Sequence, residues 1–332
     1  MDQICQLNTF KDSNKIMEKI DSEKSLYINK CKAFISFMVS QQQWSGLSMA
    51  SIDLWLKNFK KLSIDEQGLV FKLLTNIIYF SENDMLDALK LGVYKCLSYK
   101  DILEKQLSSC FTTSIHTLNS MHKANINKSC FVPLLDKDAP HESGNNICRT
   151  LVQQGIIPSN HSIFIEQVPQ LLKSLPITNL VIVDDCVGSG DQFKAFWKET
   201  QISDEENVLT ITELCNKYNI KANYLTLFGY DKGIEELRKN YTNLNIVCVQ
   251  NLTENHRVFS NISYIWEDEE ERKKAILLFS SIAKSAGISF YGYNYLDFAF
   301  IMHKTIPDWS LPLFWQENDD WRLLLRRKNS DD

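Results

Sequence analysis

No apolar run in this sequence approaches the roughly 20 residues that a membrane-crossing helix needs, so no membrane partner is expected. There is neither a Cys-x-x-Cys pair nor a His-Glu-x-x-His run, and without such ligand spacing a structural zinc site is not expected. The start, Met-Asp-Gln-Ile-Cys-Gln, lacks the basic residues and apolar stretch of a secretory leader, which makes a cytoplasmic location the expectation. No internal repeat and no low-complexity tract is visible. Basic residues do not predominate: 36 Lys and Arg face 41 Asp and Glu, a formal charge of −5. That balance argues against bulk attraction to nucleic acid. Lys57, Lys60 and Lys61 form a small local cluster, which such sequences more often place on a solvated face than on a phosphate backbone.

What is present is core-forming material. The 332 residues, 44% of them hydrophobic, suffice for one large domain or two modest ones. Nine cysteines, at 5, 31, 96, 110, 130, 148, 186, 215 and 248, are odd in number and sit mostly in apolar segments. They read as reduced, buried thiols.

The stretch that organises the chain is 180–193, Leu-Val-Ile-Val-Asp-Asp-Cys-Val-Gly-Ser-Gly-Asp-Gln-Phe. An unbroken, β-branched apolar run, Leu180 to Val183, is the pattern of a buried parallel strand. Asp184 and Asp185 follow at its carboxyl end, where open α/β sheets bind ligands. Carboxylates there accept hydrogen bonds from sugar hydroxyls and suit a hard cation such as Mg²⁺. Gly188, Ser189 and Gly190 then form a short loop feeding a helix. Glycines let backbone come close, and the free N–H groups of a helix start attract an anion. The stretch thus offers a ribose clamp and a phosphate cradle side by side.

Upstream, residues 1 to about 120 read as helices. Ile16 through Met38 follow helical spacing with a break expected near Asp21-Ser22. Ser48 to Phe59 forms another helix. Ser63-Ile64-Asp65-Glu66 is a capping-box signature before Leu69–Ile78. Ser81 opens a further helix, and Asp101 to Leu107 one more. This is the pattern of a helical bundle or winged-helix-like module, either an adaptor for a partner or a scaffold for the second half. From 121 onward, strands are expected at 125–135, 180–183, 222–228, 245–249 and 297–302. Helices are expected at 147–154, 161–175, 193–199, 208–218, 234–240 and 267–286, with 201–207 a loop. Alternation of this period implies parallel βαβ units. The predicted fold class is therefore α/β: an N-terminal helical region, then a Rossmann-like parallel sheet with flanking helices. Residues 252–259 are a candidate mobile segment over the site. Trp309, Trp315 and Trp321 form either an aromatic hood beside a ligand or, as burial of large aromatics favours, a hydrophobic clasp.

The 180–192 segment resembles the motif of type I phosphoribosyltransferases that binds phosphoribosyl diphosphate (PRPP). That pattern is four apolar residues, two acids, two variable residues, a small residue, Thr or Ser, Gly, a variable residue and Thr or Ser. The resemblance implies that Asp184 and Asp185 hold the ribose 2′- and 3′-hydroxyls. It implies that Gly188, Ser189 and Gly190 wrap the 5′-phosphate, with Cys186 and Val187 at variable positions and Asp191 and Gln192 completing the loop. Gln192 departs from the pattern, standing where a hydroxyl residue usually touches the phosphate. The implied cofactor is Mg²⁺, met at Asp184 and Asp185 mainly through the substrate. In this family a loop after an early strand binds the diphosphate; Ser143 and Gly144 are the matching candidates here, with Arg149 supplying charge. His141 and Glu142 are candidates for acid/base work, or bystanders.

Residues 286–326 carry Gly287, Tyr291-Gly292-Tyr293, Asp297-Phe298-Ala299-Phe300, Thr305-Ile306-Pro307 through Leu311-Pro312-Leu313-Phe314-Trp315, and Trp321 with Arg326. This resembles a branch of phosphoribosyltransferase-like proteins from bacterial conflict systems, including effectors of retron antiphage systems. The resemblance implies transfer or cleavage at ribose C1′ of PRPP or a related nucleotide. It also implies, as partners, a reverse transcriptase and its RNA–DNA product. A nucleotide-sensing or interaction subunit without turnover is the alternative, and an oligomer is compatible with either.

Overall fold

A computed structural model describes residues 2–135, 143–205 and 207–327. The chain opens with one long helix, α1 (Asp2–Ser40), which runs through Asp21-Ser22 because no proline or glycine stands there to end it. Helix α2 (Met49–Leu56) is capped by the Ser48 hydroxyl, which accepts the Ser51 N–H at 3.1 Å. The capping box read from the sequence starts α3 (Ile64–Thr75): the Glu66 carboxylate accepts the Ser63 N–H at 2.8 Å, and the Ser63 hydroxyl caps the Glu66 N–H in return. The chain then turns extended as β1 (Ile78–Phe80), where a continuing helix was expected. Next come α4 (Glu82–Leu97), α5 (Tyr99–Ser108), α6 (Ile115–Asn127), β2 (Ser129–Pro133), α7 (Ser143–Gln153), α8 (Val168–Ser174), β3 (Asn179–Val187) and α9 (Asp191–Glu199). These are followed by β4 (Ile202–Asp204), β5 (Asn207–Leu209), α10 (Ile211–Tyr218), β6 (Lys221–Tyr230), α11 (Asp231–Asn240), β7 (Asn245–Leu252), α12 (Glu269–Ala286) and β8 (Phe300–Met302).

Two compact units result. One combines residues up to Glu82 with those from Glu254 onward; the other is Asn83–Thr253. The expected division at residue 120 falls inside α6 instead. The reason lies in α4: a Cβ placed on Gly92 would stand 2.7 Å from a Leu225 methyl and 3.0 Å from one of Val249, so this helix is seated on the sheet itself. The helices α4–α6 therefore belong to the α/β unit. The residues after 254 join the N-terminal helices.

The α/β unit is built on a parallel sheet in the order β2-β3-β6-β7, with Phe131 opposite Val181, Val181 opposite Asn223 and Asn223 opposite Asn245. Its strands β3 and β6 are paired on both edges, and Leu180–Val183 are fully buried, which is why that run carries no polar residue. One face packs Leu180, Ile182, Tyr224 and Ile246 against Phe193 and Phe196 of α9, Leu214 of α10 and Leu237 of α11. Between α9 and α10, the expected loop is a hairpin, β4 against β5. Buried Asp204 holds that hairpin through the Lys217 ammonium and, at 2.9 Å, the Tyr218 hydroxyl.

In the other unit, β1 and β8 pair in parallel, Tyr79 opposite Ile301. The Trp55 and Trp321 indoles both donate to the Leu313 carbonyl, at 2.7 and 3.0 Å, and Trp309 stacks on Phe300 at 4.9 Å. The tryptophans thus act as the clasp of this core; half-buried Trp315 donates to the Ser310 carbonyl at 3.1 Å. Residues 254–259 are not a loose flap: the Arg257 guanidinium grips buried Asp297, and the Val258 and Phe259 N–H groups donate to the Asp297 backbone and side chain at 2.9 and 2.6 Å. Among the described residues, no helix is long and apolar enough to cross a membrane.

Candidate functional site

The carboxyl edge of the parallel sheet gathers the ends of β2, β3 and β6. Asp184 and Asp185 lie in the last turn of the pleat of β3, before Cys186 and Val187, and are only 3% and 7% exposed, a degree of burial that ionised carboxylates tolerate only when hydrogen-bonded. Consecutive strand residues point to opposite faces, so the two acids bracket the strand end. The Tyr224 hydroxyl, one strand away on β6, donates to Asp184 Oδ2 at 2.8 Å, and the Asp185 N–H donates to Oδ1 at 2.9 Å. Tyr224 is locked by Phe193, whose ring centre lies 4.2 Å from its own. Burial, and secondly the charge of Asp184, push the Tyr224 phenol well above its ordinary pKa; it stays a donor across the accessible pH range. The Asp184 carboxylate is thereby fixed in orientation before any ligand arrives.

The loop after β3 is equally constrained. Gly190 caps α9 in the left-handed region, φ +81°, where a side chain would be strained and a Cβ would press on Leu237 at 3.0 Å. Gly233, in the first turn of α11, lies so close that a Cβ would stand 2.1 Å from the Gly188 carbonyl oxygen. The loop is therefore pinned from below by α11. Gly188 is buried, Ser189 and Asp191 are half-buried and Gln192 is exposed. The Ser189 hydroxyl donates to Asp191 Oδ2 at 2.7 Å, and the Lys194 ammonium lies 3.1 Å from Asp191 Oδ1 and 2.6 Å from Glu236 of α11. Glu236 first, then Asp191, raise the Lys194 pKa, so this ammonium is charged at neutral pH.

Of the second expected loop, Ser143 and Gly144 are among the described residues. The Leu134 N–H extends the sheet beyond β2 by donating to the Val183 carbonyl at 2.9 Å, immediately before Asp184. Gly144, at the start of α7, packs on that extension: a Cβ there would be 2.5 Å from the Leu134 carbonyl oxygen. Ser143 and Gly144 thus begin α7 against the residue that extends β2 alongside Val183. Arg149 does not share the placement. Ile147, Cys148 and Leu151 form the buried face of α7, and Arg149 is exposed on the other side. His141 and Glu142 lie outside the described residues.

Cys186 and Val187 complete β3, Cys186 half-buried and Val187 buried. Among the other cysteines, burial pushes the thiols of Cys96, Cys130, Cys148 and Cys248 up to about 12, and these are packing residues rather than nucleophiles. Among the described residues no three metal-ligating side chains gather into a cage. The chemistry of Asp184 and Asp185 fits a hard cation that a ligand brings with its own oxygens, rather than one the protein holds alone.

Sequence reasoning did not single out Tyr224, Lys194 or Gly233. A tyrosine within an apolar strand signals that its hydroxyl needs a partner. Only the register of β3 against β6 identifies that partner as Asp184.

No curated protein matches the sequence. Among solved structures, an orotate phosphoribosyltransferase from Aeropyrum pernix is similar over 52% of this chain and 70% of its own, with 14% identity and a TM-score of 0.27. A family model matches residues 52–327, most of the chain and both of its units, and the protein belongs to the PRTase-CE family of phosphoribosyltransferase-like proteins.

Proposed function

We infer that the chain binds a ribose bearing phosphate groups, PRPP or a related nucleotide, at residues 184–192, and that it acts at ribose C1′. The observation that carries this is the pre-oriented Asp184 carboxylate, held by Tyr224 and the Asp185 N–H next to a glycine loop that opens a helix. Asp184 and Asp185 accept the ribose hydroxyls. The backbone of 188–192 with Ser189 meets the 5′-phosphate, and the helix start at Ser143-Gly144 meets the diphosphate. Mg²⁺, carried in with the substrate, would lie against the two acids and neutralise the leaving group.

At C1′ the bond to the diphosphate oxygen breaks and its electron pair leaves with the diphosphate. An acceptor nucleophile then forms the new bond to the cationic ribosyl centre. Positioning and stabilisation of the departing charge supply the catalysis. The similarity of residues 286–326 to conflict-system proteins supports a role as an antiphage effector of the retron type. A reverse transcriptase and its RNA–DNA product would be the partners. A second reading, sensing of a nucleotide without turnover, is favoured by Gln192 in place of a hydroxyl residue and by Arg149 on the exposed side of α7.

The test is diphosphate release from Mg²⁺-PRPP offered with nucleobases, nucleotides or nucleic acid. Wild type releases diphosphate and Asp184→Asn loses at least about tenfold, in line with removal of one group that positions the substrate. Equal release by both variants removes the ribose clamp from the account. Binding without release selects the sensing reading.

A further inference from the structure

The strands β1 and β8 run parallel and pair Phe80 with Met302, so their carboxyl ends share one edge, the kind of edge at which open parallel sheets bind ligands. His303 follows β8 there, and Glu82 follows β1 by two residues. Ser45, from the turn before α2, meets them. Its Oγ lies 2.8 Å from His303 Nδ1, and His303 Nε2 lies 3.7 Å from Glu82 Oε2. All three residues belong to one unit. We propose that Ser45 is a nucleophile activated by His303, with Glu82 behind it, and that this second site transfers acyl groups from activated, apolar carboxylic esters to water. The assignment does not depend on the ribose reading of residues 184–192.

The backbone builds this meeting. Met302 and Thr305 exchange backbone hydrogen bonds at 3.0 and 3.1 Å, closing a tight turn over His303 and Lys304, and Lys304 takes the left-handed region, φ +58°, within it. Gly46 seats the other segment on that turn: a Cβ there would stand 2.7 Å from both the Lys304 nitrogen and the Tyr79 hydroxyl. The missing side chain is what lets Ser45 reach the imidazole. Ser45, Tyr79 and His303 are half-buried, which positions the hydroxyl and leaves it within reach of solvent. Another Ser–His pair, Ser98 and His122 at 2.7 Å, marks the contrast: Ser98 is 1% exposed, out of reach of a substrate.

A carboxylate on the Nε2 side favours the tautomer protonated at Nε2, which leaves Nδ1 to take the Ser45 proton. Burial first, then the charge of Lys304, hold His303 below its ordinary pKa against the opposing pull of Glu82, so the imidazole is a neutral base at pH 7. Ser45 Oγ bonds to the ester carbonyl carbon as its proton passes to Nδ1, and Glu82 stabilises the imidazolium. Burial raises the pKa of the Tyr79 phenol, whose oxygen accepts the Gly46 N–H at 2.6 Å, and its own proton is donated to the developing oxyanion. The bond from the acyl carbon to the leaving alcohol then breaks with its electron pair, and the alcohol takes the proton from Nδ1. Water attacks the acyl-serine in the same way, releasing a carboxylic acid and restoring Ser45. Trp44, next to Ser45, meets the exposed Phe34 ring edge-on at 6.3 Å, an aromatic surface suited to an apolar acyl chain.

The probes are a fluorophosphonate, whose phosphorus captures a nucleophilic serine with loss of fluoride, and p-nitrophenyl butyrate. Both are offered to full-length wild type, Ser45→Ala, His303→Asn and Glu82→Gln. The expected label sits on Ser45 and leaves Ser98 untouched. Release of p-nitrophenol falls to the buffer rate in Ser45→Ala and by at least about 100-fold in His303→Asn, the loss expected for a general base. Asparagine keeps a hydrogen-bonding group near the position of Nδ1, and a cooperative melt certifies that this variant is folded. The ionisable neighbours of His303 are Tyr79 on β1, Glu82 on α4 and Lys304 in its own turn, and Tyr79 stays protonated. Glu82 is exposed and raises the His303 pKa, so in Glu82→Gln the rise of the hydrolysis rate with pH moves to lower pH. A folded wild type that stays unlabelled at Ser45, or a Ser45→Ala or His303→Asn chain that hydrolyses the ester as fast as wild type, overturns the proposal.

Discussion

Asp184 and Asp297 are both almost fully buried carboxylates, one in each unit, and they are held in different ways. Asp297 is gripped by the Arg257 guanidinium and by the Phe259 N–H at 2.6 Å. Burial pushes its pKa up, and the guanidinium pulls against that shift. Asp184 meets the Tyr224 hydroxyl and the Asp185 N–H, donors that carry no formal charge. A guanidinium supplied by the fold turns a carboxylate into a staple that joins residues 254–259 to residue 297. The Tyr224 hydroxyl and the Asp185 N–H instead fix the direction of the Asp184 carboxylate at the carboxyl edge of the parallel sheet.

Removing each support breaks the comparison in a measurable way. The largest effect is expected for Arg257→Ala. It strands the Asp297 charge in the core, and urea unfolding should report a loss of about 3–5 kcal/mol, the range for breaking a buried ion pair from one side. Tyr224→Phe comes next. It takes a donor from a buried, charged acceptor and should lower stability by about 1.5–3 kcal/mol in the same assay, with weaker binding of a ribose ligand because the carboxylate is no longer oriented. Asp184→Asn is the smallest for stability. The single amide oxygen can accept from Tyr224 or from the Asp185 N–H but not from both, so the unfolding free energy should fall by about 1–2 kcal/mol while ligand binding is lost. Should Asp184→Asn unfold the chain as Arg257→Ala does, the distinction between staple and ligand-facing acid would not hold.

The same contrast separates what was readable along the chain from what was not. The strand Leu180–Val183, its two acids and the loop to α9 are contiguous, and local patterning identified all three. The Ser63–Glu66 capping box was legible for the same reason, since its partners are three residues apart. By contrast, β1 was read as the end of a helix because Ile78–Phe80 become a strand only through pairing with Phe300–Met302, more than 200 residues later. The hairpin of β4 and β5 was read as a loop because its polar turn hides Asp204, whose Lys217 and Tyr218 partners come from α10. The boundary at residue 120 was misplaced because the apolar stripe of α4 gives no sign of which surface buries it; Gly92, made small for Leu225 and Val249, is the clue in retrospect. At the candidate site, Tyr224 and Gly233 depend on strand register and helix packing, which a motif does not contain.

The most direct test of the central claim is calorimetric titration of Mg²⁺-PRPP into the full-length chain and into Asp184→Asn/Asp185→Asn. The account predicts saturable binding to the wild type that the double substitution abolishes, while the double variant still unfolds in one cooperative transition. Binding that survives the double substitution, or no binding to a folded wild-type chain, would contradict it.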